Sequence, residues 1–199
     1  MELPEFCYYN FAHATFTNGM DIPNSPSRKP DGPFCEHMVK SIERAKNILV
    51  VCTGNICRSP MAEGILGVLI KEIPGASVSS AGTHALTGNP ATEFAVIAAA
   101  ENGIDISGHK ARMIGEEIIR ASSIILCMEP YHVEHVLEID ISADLKTFNL
   151  AEFSGSAIKR SKILDPYGCS LREYRECFKD IDFCIRNFLA SEYYLESRQ

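Results

Sequence analysis

One stretch restricts this chain more than any other. Asn47-Ile48-Leu49-Val50-Val51 is an apolar run with the length and branched side chains of a buried strand. It feeds without a spacer into Cys52-Thr53-Gly54-Asn55-Ile56-Cys57-Arg58, and Ser59-Pro60 then opens a helix-forming segment. The pattern predicts a strand over 47–51 and a helix over 59–72, with Ser59 as its cap and Pro60 at its first position. A strand that turns at once into a helix must bring the helix back across its own face, which starts a β-α-β unit.

The rest of the chain continues the alternation. Strands are expected over 77–81, 123–128 and 146–150. Helices are expected over 89–102, with Pro90 near the start and Gly103 at the end, over 115–121 and over 130–138. Leu171, Tyr174, Phe178, Ile181, Ile185, Phe188 and Leu189 keep a three-to-four spacing and predict one long helix over 171–194. The expected fold is α/β: a small, parallel, four-stranded sheet with helices on both faces and an anion-binding loop after the first strand. Ligands of such sheets sit beyond the C-terminal strand ends, where the cysteine loop lies.

At 199 residues the chain has room for one ordinary domain and a tail. Five of its ten prolines (Pro4, Pro23, Pro26, Pro30, Pro33) fall in residues 1–37, which therefore read as an irregular N-terminal extension before a domain over 45–195. Met38 stands as an alternative start, because the regular pattern begins just after it. A net charge of -7 argues against nucleic acid or an anionic membrane as partner. No apolar run reaches the roughly 18 residues of a membrane span. The N-terminus lacks the basic start and apolar core of a signal peptide. The eight cysteines then read as cytoplasmic thiols, and the lack of any C-x-x-C pair argues against structural zinc.

The loop's chemistry follows from its residue types. Successive backbone N–H groups between a strand and a helix form a concavity for an anion, and the helix dipole adds to it. Gly54 lets the backbone curl, and Asn55 tolerates a left-handed conformation. Arg58 presents a planar fork of donors for phosphate oxygens. The same field favours the thiolate of Cys52, a nucleophile at the floor of an anion cradle. The spacing C-x5-R alone carries little weight: uniform composition gives about 0.4 chance matches in such a chain. A second match, Cys169 to Arg175, has no interior glycine, contains Glu173 and opens a helix pattern, so it reads as a decoy.

Val51-Cys52-Thr53-Gly54-Asn55-Ile56-Cys57-Arg58-Ser59-Pro60-Met61-Ala62-Glu63 resembles the phosphate loop of low-molecular-weight protein tyrosine phosphatases. The likeness continues through Ser80-Ala81-Gly82-Thr83, through Gly103 to Arg112, and through Asp165-Pro166-Tyr167-Gly168. It covers about Asn47 to Leu189. The resemblance implies Cys52 as nucleophile, Arg58 as the phosphate-binding arginine and Asp165 as general acid and base. It implies that Thr53, Gly54, Asn55, Ile56, Cys57 and Ser59 shape or line the phosphate site, and that Asn55 and Ser59 support the thiolate. His109 would brace Asn55 from behind, and Tyr167 would wall the substrate pocket. Cys57 would be a thiol able to pair with Cys52 under oxidation. No metal or organic cofactor is called for. A phenolate leaves poorly unprotonated, so Asp165 would deliver a proton and then take one from the attacking water.

The implied reaction is phosphotyrosine hydrolysis in proteins through a phosphocysteine. The partner would be a tyrosine-phosphorylated protein, a tyrosine kinase among the candidates, and the enzyme a cytoplasmic monomer. Phosphoarginine phosphatases of the same fold resemble C-T-G-N-T-C-R, with threonine at the position of Ile56; isoleucine there, with Tyr167 as a stacking wall, favours phosphotyrosine. Thiol-coupled arsenate reductases relay oxidation through two further cysteines. Cys127 is placed like the first, but Glu134 stands where the second would be. A module that binds phosphate without cleaving it would lack the nucleophile or the acid, and both are present. Tyr193 and Tyr194, near Glu192 and Glu196, read as exposed residues at a fraying helix end rather than as modification sites.

Overall fold

The computed structural model describes residues 47–155 and 161–191. The expected N-terminal extension, Met38, Tyr193 and Tyr194 lie outside the described residues. Four strands, β1 (Asn47–Cys52), β2 (Ser77–Gly82), β3 (Ile124–Cys127) and β4 (Thr147–Asn149), form one sheet in the order β2-β1-β3-β4. All three pairings are parallel. The order reverses between β1 and β3, so the C-terminal end of β1 is the switch point where a crevice opens.

The described helices are α1 (Arg58–Leu69), α2 (Glu93–Ala100), α3 (Glu116–Ala121), α4 (Pro130–Ile139) and α5 (Leu171–Ala190). The period-two alternation of β1 sorts them onto two faces. Ile48, Val50 and Cys52 join a core built with α1, α2 and α5. Leu49 and Val51 join the other core, with Ile119 of α3 and Val136 of α4. β3 divides likewise: Ile124 and Leu126 lie on the Cys52 side, Ile125 and Cys127 on the opposite one. α5 buries Tyr174, Cys177, Phe178, Ile181, Ile185 and Phe188 along one stripe. At its start the Glu173 carboxylate accepts from the Ser170 N–H (3.1 Å) and hydroxyl. No helix among the described residues is long and apolar enough to cross a membrane.

Several boundaries differ from the sequence expectation, each for a physical reason. α1 starts at Arg58 rather than Ser59; its cap is Cys57, whose side chain makes no hydrogen bond to the first N–H groups of the helix. The Ser59 hydroxyl is engaged by Cys52 instead. Pro60 is then the third helical residue, still within the turn whose N–H groups have no intrahelical acceptor. α2 is shorter than 89–102 because the backbone before it is spoken for: Thr92 N donates to Ile56 O (2.8 Å), and Ala111 N to Asn89 O (2.8 Å). β4 keeps three residues between two 3-10 segments, Ile141–Lys146 and Leu150–Ser154, whose tight turns carry no 3.6-residue signature.

Candidate active site

β1 ends at Cys52, and the chain wraps back into α1 within five residues. The carbonyls of this loop are tied down from outside. Thr83 N donates to Cys52 O (3.0 Å), His84 N to Thr53 O (2.9 Å) and Thr92 N to Ile56 O (2.8 Å). His109 Nε2 lies 2.7 Å from Asn55 O, and since a carbonyl only accepts, the ring donates. Fixing the carbonyls outward leaves the N–H groups to converge inside, as an anion nest requires. Asn55 takes φ 54°, the left-handed conformation that reverses the chain. Gly82 closes the loop from β2. A Cβ there would lie 2.5 Å from Thr53 O and 2.9 Å from Asn55 N, so only glycine permits the approach.

Asn55 is fully buried, and its side chain is saturated. Arg112 N donates to its Oδ1 (2.9 Å), which fixes the orientation of the amide. Its Nδ2 then donates to Ser59 Oγ (2.9 Å) and to Ser80 Oγ (2.7 Å). Ser80 Oγ in turn donates to Glu63 Oε2 at 2.5 Å. Ser59 Oγ, having accepted from Asn55, is free to donate to Cys52 Sγ at 2.9 Å. Asn55 N adds a second donor to that sulfur at 3.2 Å. Donors converging on sulfur are what a thiolate needs.

Arg58 is buried to 1 % exposure and is held by two carboxylates. Nη1 donates to Glu129 Oε1 (2.5 Å) and Ile163 O (3.1 Å), and Nη2 to Asp165 Oδ2 (2.5 Å). Burial alone would weaken the proton affinity of Arg58, but the Glu129 hydrogen bond and the charge of Asp165 outweigh it and raise its pKa. For Glu129, burial pushes the pKa up, and the hydrogen bond and charge of Arg58 override it, holding the carboxyl below its usual range. Lys162 Nζ, 3.4 Å from Glu129 Oε2, supports the same ionised state.

Cys52, Thr53, Gly54, Ile56, Cys57, Arg58, Asp165 and Tyr167 line one cavity of about 280 Å³. The side chains of Asn55 and Ser59, and His109, brace the loop without lining the cavity. Leu86, 72 % exposed, and Tyr167, 65 % exposed, flank the mouth together with Ile56. Cys57 points toward Thr92 Oγ1 and Tyr174 OH, each 3.3 Å away, and burial raises the pKa of its thiol. Cys127 belongs to the opposite core, where burial raises its pKa too. The second C-x5-R match is not a site: Cys169 is exposed, and Arg175 pairs with Glu101 at 2.6 and 2.7 Å. The sequence pattern assigns no role to Glu129, His132, Ser80, Arg112, Glu63 or Tyr174. Only Glu63 carried a local signal, four residues after Ser59 on the same helix.

The family model for low molecular weight phosphotyrosine protein phosphatase matches residues 47–196. The protein-tyrosine-phosphatase Etp of Escherichia coli is 38% identical over 135 residues, 68% of this chain and 84% of Etp. The crystal structure of the Erwinia amylovora tyrosine phosphatase AmsI superposes with a TM-score of 0.66 at 33% identity, over 72% of this chain and 91% of that one. The YwlE arginine phosphatase of Geobacillus stearothermophilus gives 0.64 at 34% identity, over 72% and 90%. Fold and relatives define the class, a phosphoric monoester hydrolase of the protein-tyrosine-phosphatase type. The chain belongs to the low molecular weight phosphotyrosine protein phosphatase family.

Proposed function

We propose that this chain hydrolyses phosphotyrosine in proteins, with Cys52 as nucleophile, Arg58 as phosphate clamp and Asp165 as general acid and base. The observation that carries the proposal is the convergence at Cys52. Its sulfur receives Asn55 N and faces the Ser59 hydroxyl, while Arg58 and Asp165 line the same cavity. Asp165 reaches the cavity from the segment before α5 with its side chain 42 % exposed, so it can meet a leaving group from outside.

The phosphoryl group enters the nest and draws Arg58 Nη2 away from Asp165. Cys52 attacks phosphorus; the S–P bond forms as the P–O bond to the phenol breaks, and Asp165 gives its proton to the leaving oxygen. Asp165, now a carboxylate, takes a proton from water as that water attacks phosphorus. The S–P bond breaks, and thiolate and inorganic phosphate result. Loop amides and Arg58 hold the equatorial oxygens throughout.

Ile56, Leu86 and Tyr167 favour an aryl ester, because they frame the mouth with apolar surface on which a phenyl ring packs. The neighbour named as an arginine phosphatase makes phosphoarginine the substrate to test against. Arsenate reduction is less well supported: Cys127 lies across the sheet from Cys52, and Glu134 replaces the second relay thiol. The partners are tyrosine-phosphorylated proteins, tyrosine kinases included. One chain supplies the whole cradle, which suits a monomer, and a thiolate nucleophile suits the reducing cytoplasm.

The test is phosphate release from matched peptides carrying phosphotyrosine, phosphoarginine or phosphoserine, with Cys52→Ser as blank. Tyrosine-selective turnover that disappears in the variant is expected. Selectivity for phosphoarginine overturns the reading of Ile56 and Tyr167. No turnover on any peptide overturns the function.

A further inference from the structure

His132 lies in the first turn of α4 and is completely buried, yet no motif points to it. Its Nε2 is 3.0 Å from Thr53 Oγ1. Its Nδ1 is buried and without a hydrogen-bond partner. Thr53 Oγ1 also accepts a long bond, 3.5 Å, from Arg58 Nη2. Thr53 itself lines the cavity next to Cys52.

Proton counting decides which way these bonds run. A hydroxyl has one proton and two acceptor positions, and a guanidinium only donates. Arg58 therefore occupies one acceptor position of Thr53. If the imidazole carried its proton on Nδ1, a buried N–H would face no acceptor, and the single proton of Thr53 would be spent on Nε2. With the proton on Nε2, the ring donates to the second acceptor position of Thr53. The orphan atom is then a bare ring nitrogen, which costs less to bury than an orphan N–H. The proton of Thr53 is left for a third direction, into the cavity. Burial first, and the neighbouring Arg58 charge second, lower the pKa of His132 to about 4, so the ring keeps a single proton at neutral pH.

We propose that the Thr53 hydroxyl is a phosphate-binding donor in its own right, aimed at the phosphoryl oxygens by the buried imidazole of His132. His132 is then a positioning residue that acts through Thr53. The inference rests on the reading of the loop as a phosphoryl cradle, and extends it from backbone amides and Arg58 to a side-chain donor with its own support.

The test uses inorganic phosphate as probe, its dissociation constant measured by calorimetry and by inhibition of turnover, with the melting temperature followed in parallel. Thr53→Val and His132→Leu should each weaken phosphate about tenfold, the scale of one charge-assisted hydrogen bond. The double variant should be no weaker than either single one, because both remove the same donor. His132→Gln, whose amide can donate in place of Nε2, should recover to within about threefold of the parent. Thr53→Val binding phosphate like the parent overturns the proposal. So does a His132→Leu effect that persists undiminished on the Thr53→Val background, or one confined to the melting temperature. Should His132→Leu fail to fold, Thr53→Val and His132→Gln decide. A parent protein that neither binds phosphate nor hydrolyses phosphopeptides removes the cradle reading itself, and the proposal with it.

Discussion

Replacing Asn55 by alanine removes the residue that ties the loop to β2, to α1 and to the segment around Arg112. Three side-chain hydrogen bonds disappear, two donated to Ser59 and Ser80 and one accepted from Arg112 N. Each is worth about 1 kcal/mol net. Alanine must also hold φ 54°, which costs about 1 kcal/mol more. The expected destabilisation is about 4 kcal/mol, a large share of the roughly 5–15 kcal/mol that stabilises a domain. Urea unfolding should show a lower midpoint with an unchanged slope. Asn55→Gly relieves the backbone but not the hydrogen bonds, and should recover only about 1 of those 4 kcal/mol. Turnover should fall about a hundredfold, since Ser59 loses the donor that orients its hydroxyl toward Cys52. An Asn55→Ala protein within about 1 kcal/mol of the parent would refute the account of the network.

Three further outcomes are expected. Gly82→Ala places a Cβ 2.5 Å from Thr53 O, so the loop must shift; a loss of about 2 kcal/mol and weaker phosphate binding should follow, and an unchanged urea midpoint with unchanged phosphate affinity contradicts this. His132 has a folded pKa of about 4 against 6.5 unfolded, so the unfolded chain takes up the proton first as pH falls. Stability should therefore drop between pH 6.5 and 4 and level off below, with up to about 3 kcal/mol from this ring, which feels the charges of Arg58, Glu129, Asp165 and His135. His132→Gln should lack that part of the slope, and parallel profiles of urea stability against pH contradict the assignment. Asp165→Asn should slow poor phenolic leaving groups about 10²–10⁴-fold and good ones far less; a loss independent of leaving-group pKa contradicts its role as acid.

What the sequence revealed follows a physical division. The sheet was legible because the apolar runs over 47–51 and 123–128 and the amphipathic spacing of α5 are local patterns. The loop that carries Cys52, Asn55 and Arg58 is legible for the same reason: a turn between a strand and a helix is written consecutively. From sequence Ser59 reads as a helix cap, whereas in the structure the cap is Cys57. Ser-Pro at a helix start is a strong local signal, but here a tertiary partner, Cys52, holds the hydroxyl. Asp165 could be named only through the family resemblance, because its approach to Arg58 spans more than a hundred residues and leaves no spacing to read. Glu129, His132, Ser80 and Arg112 come from segments around β2, β3 and α4, and meet the loop only because the sheet order brings those ends together.

The most direct test of the central claim is to trap the intermediate. The protein, quenched in acid during turnover of a phosphotyrosyl peptide, would be digested and mapped by mass spectrometry. The account predicts one phosphoryl group on the peptide containing Cys52, with none on Cys52→Ser. Turnover without a phosphorylated Cys52, or the phosphoryl group on another residue, would contradict it.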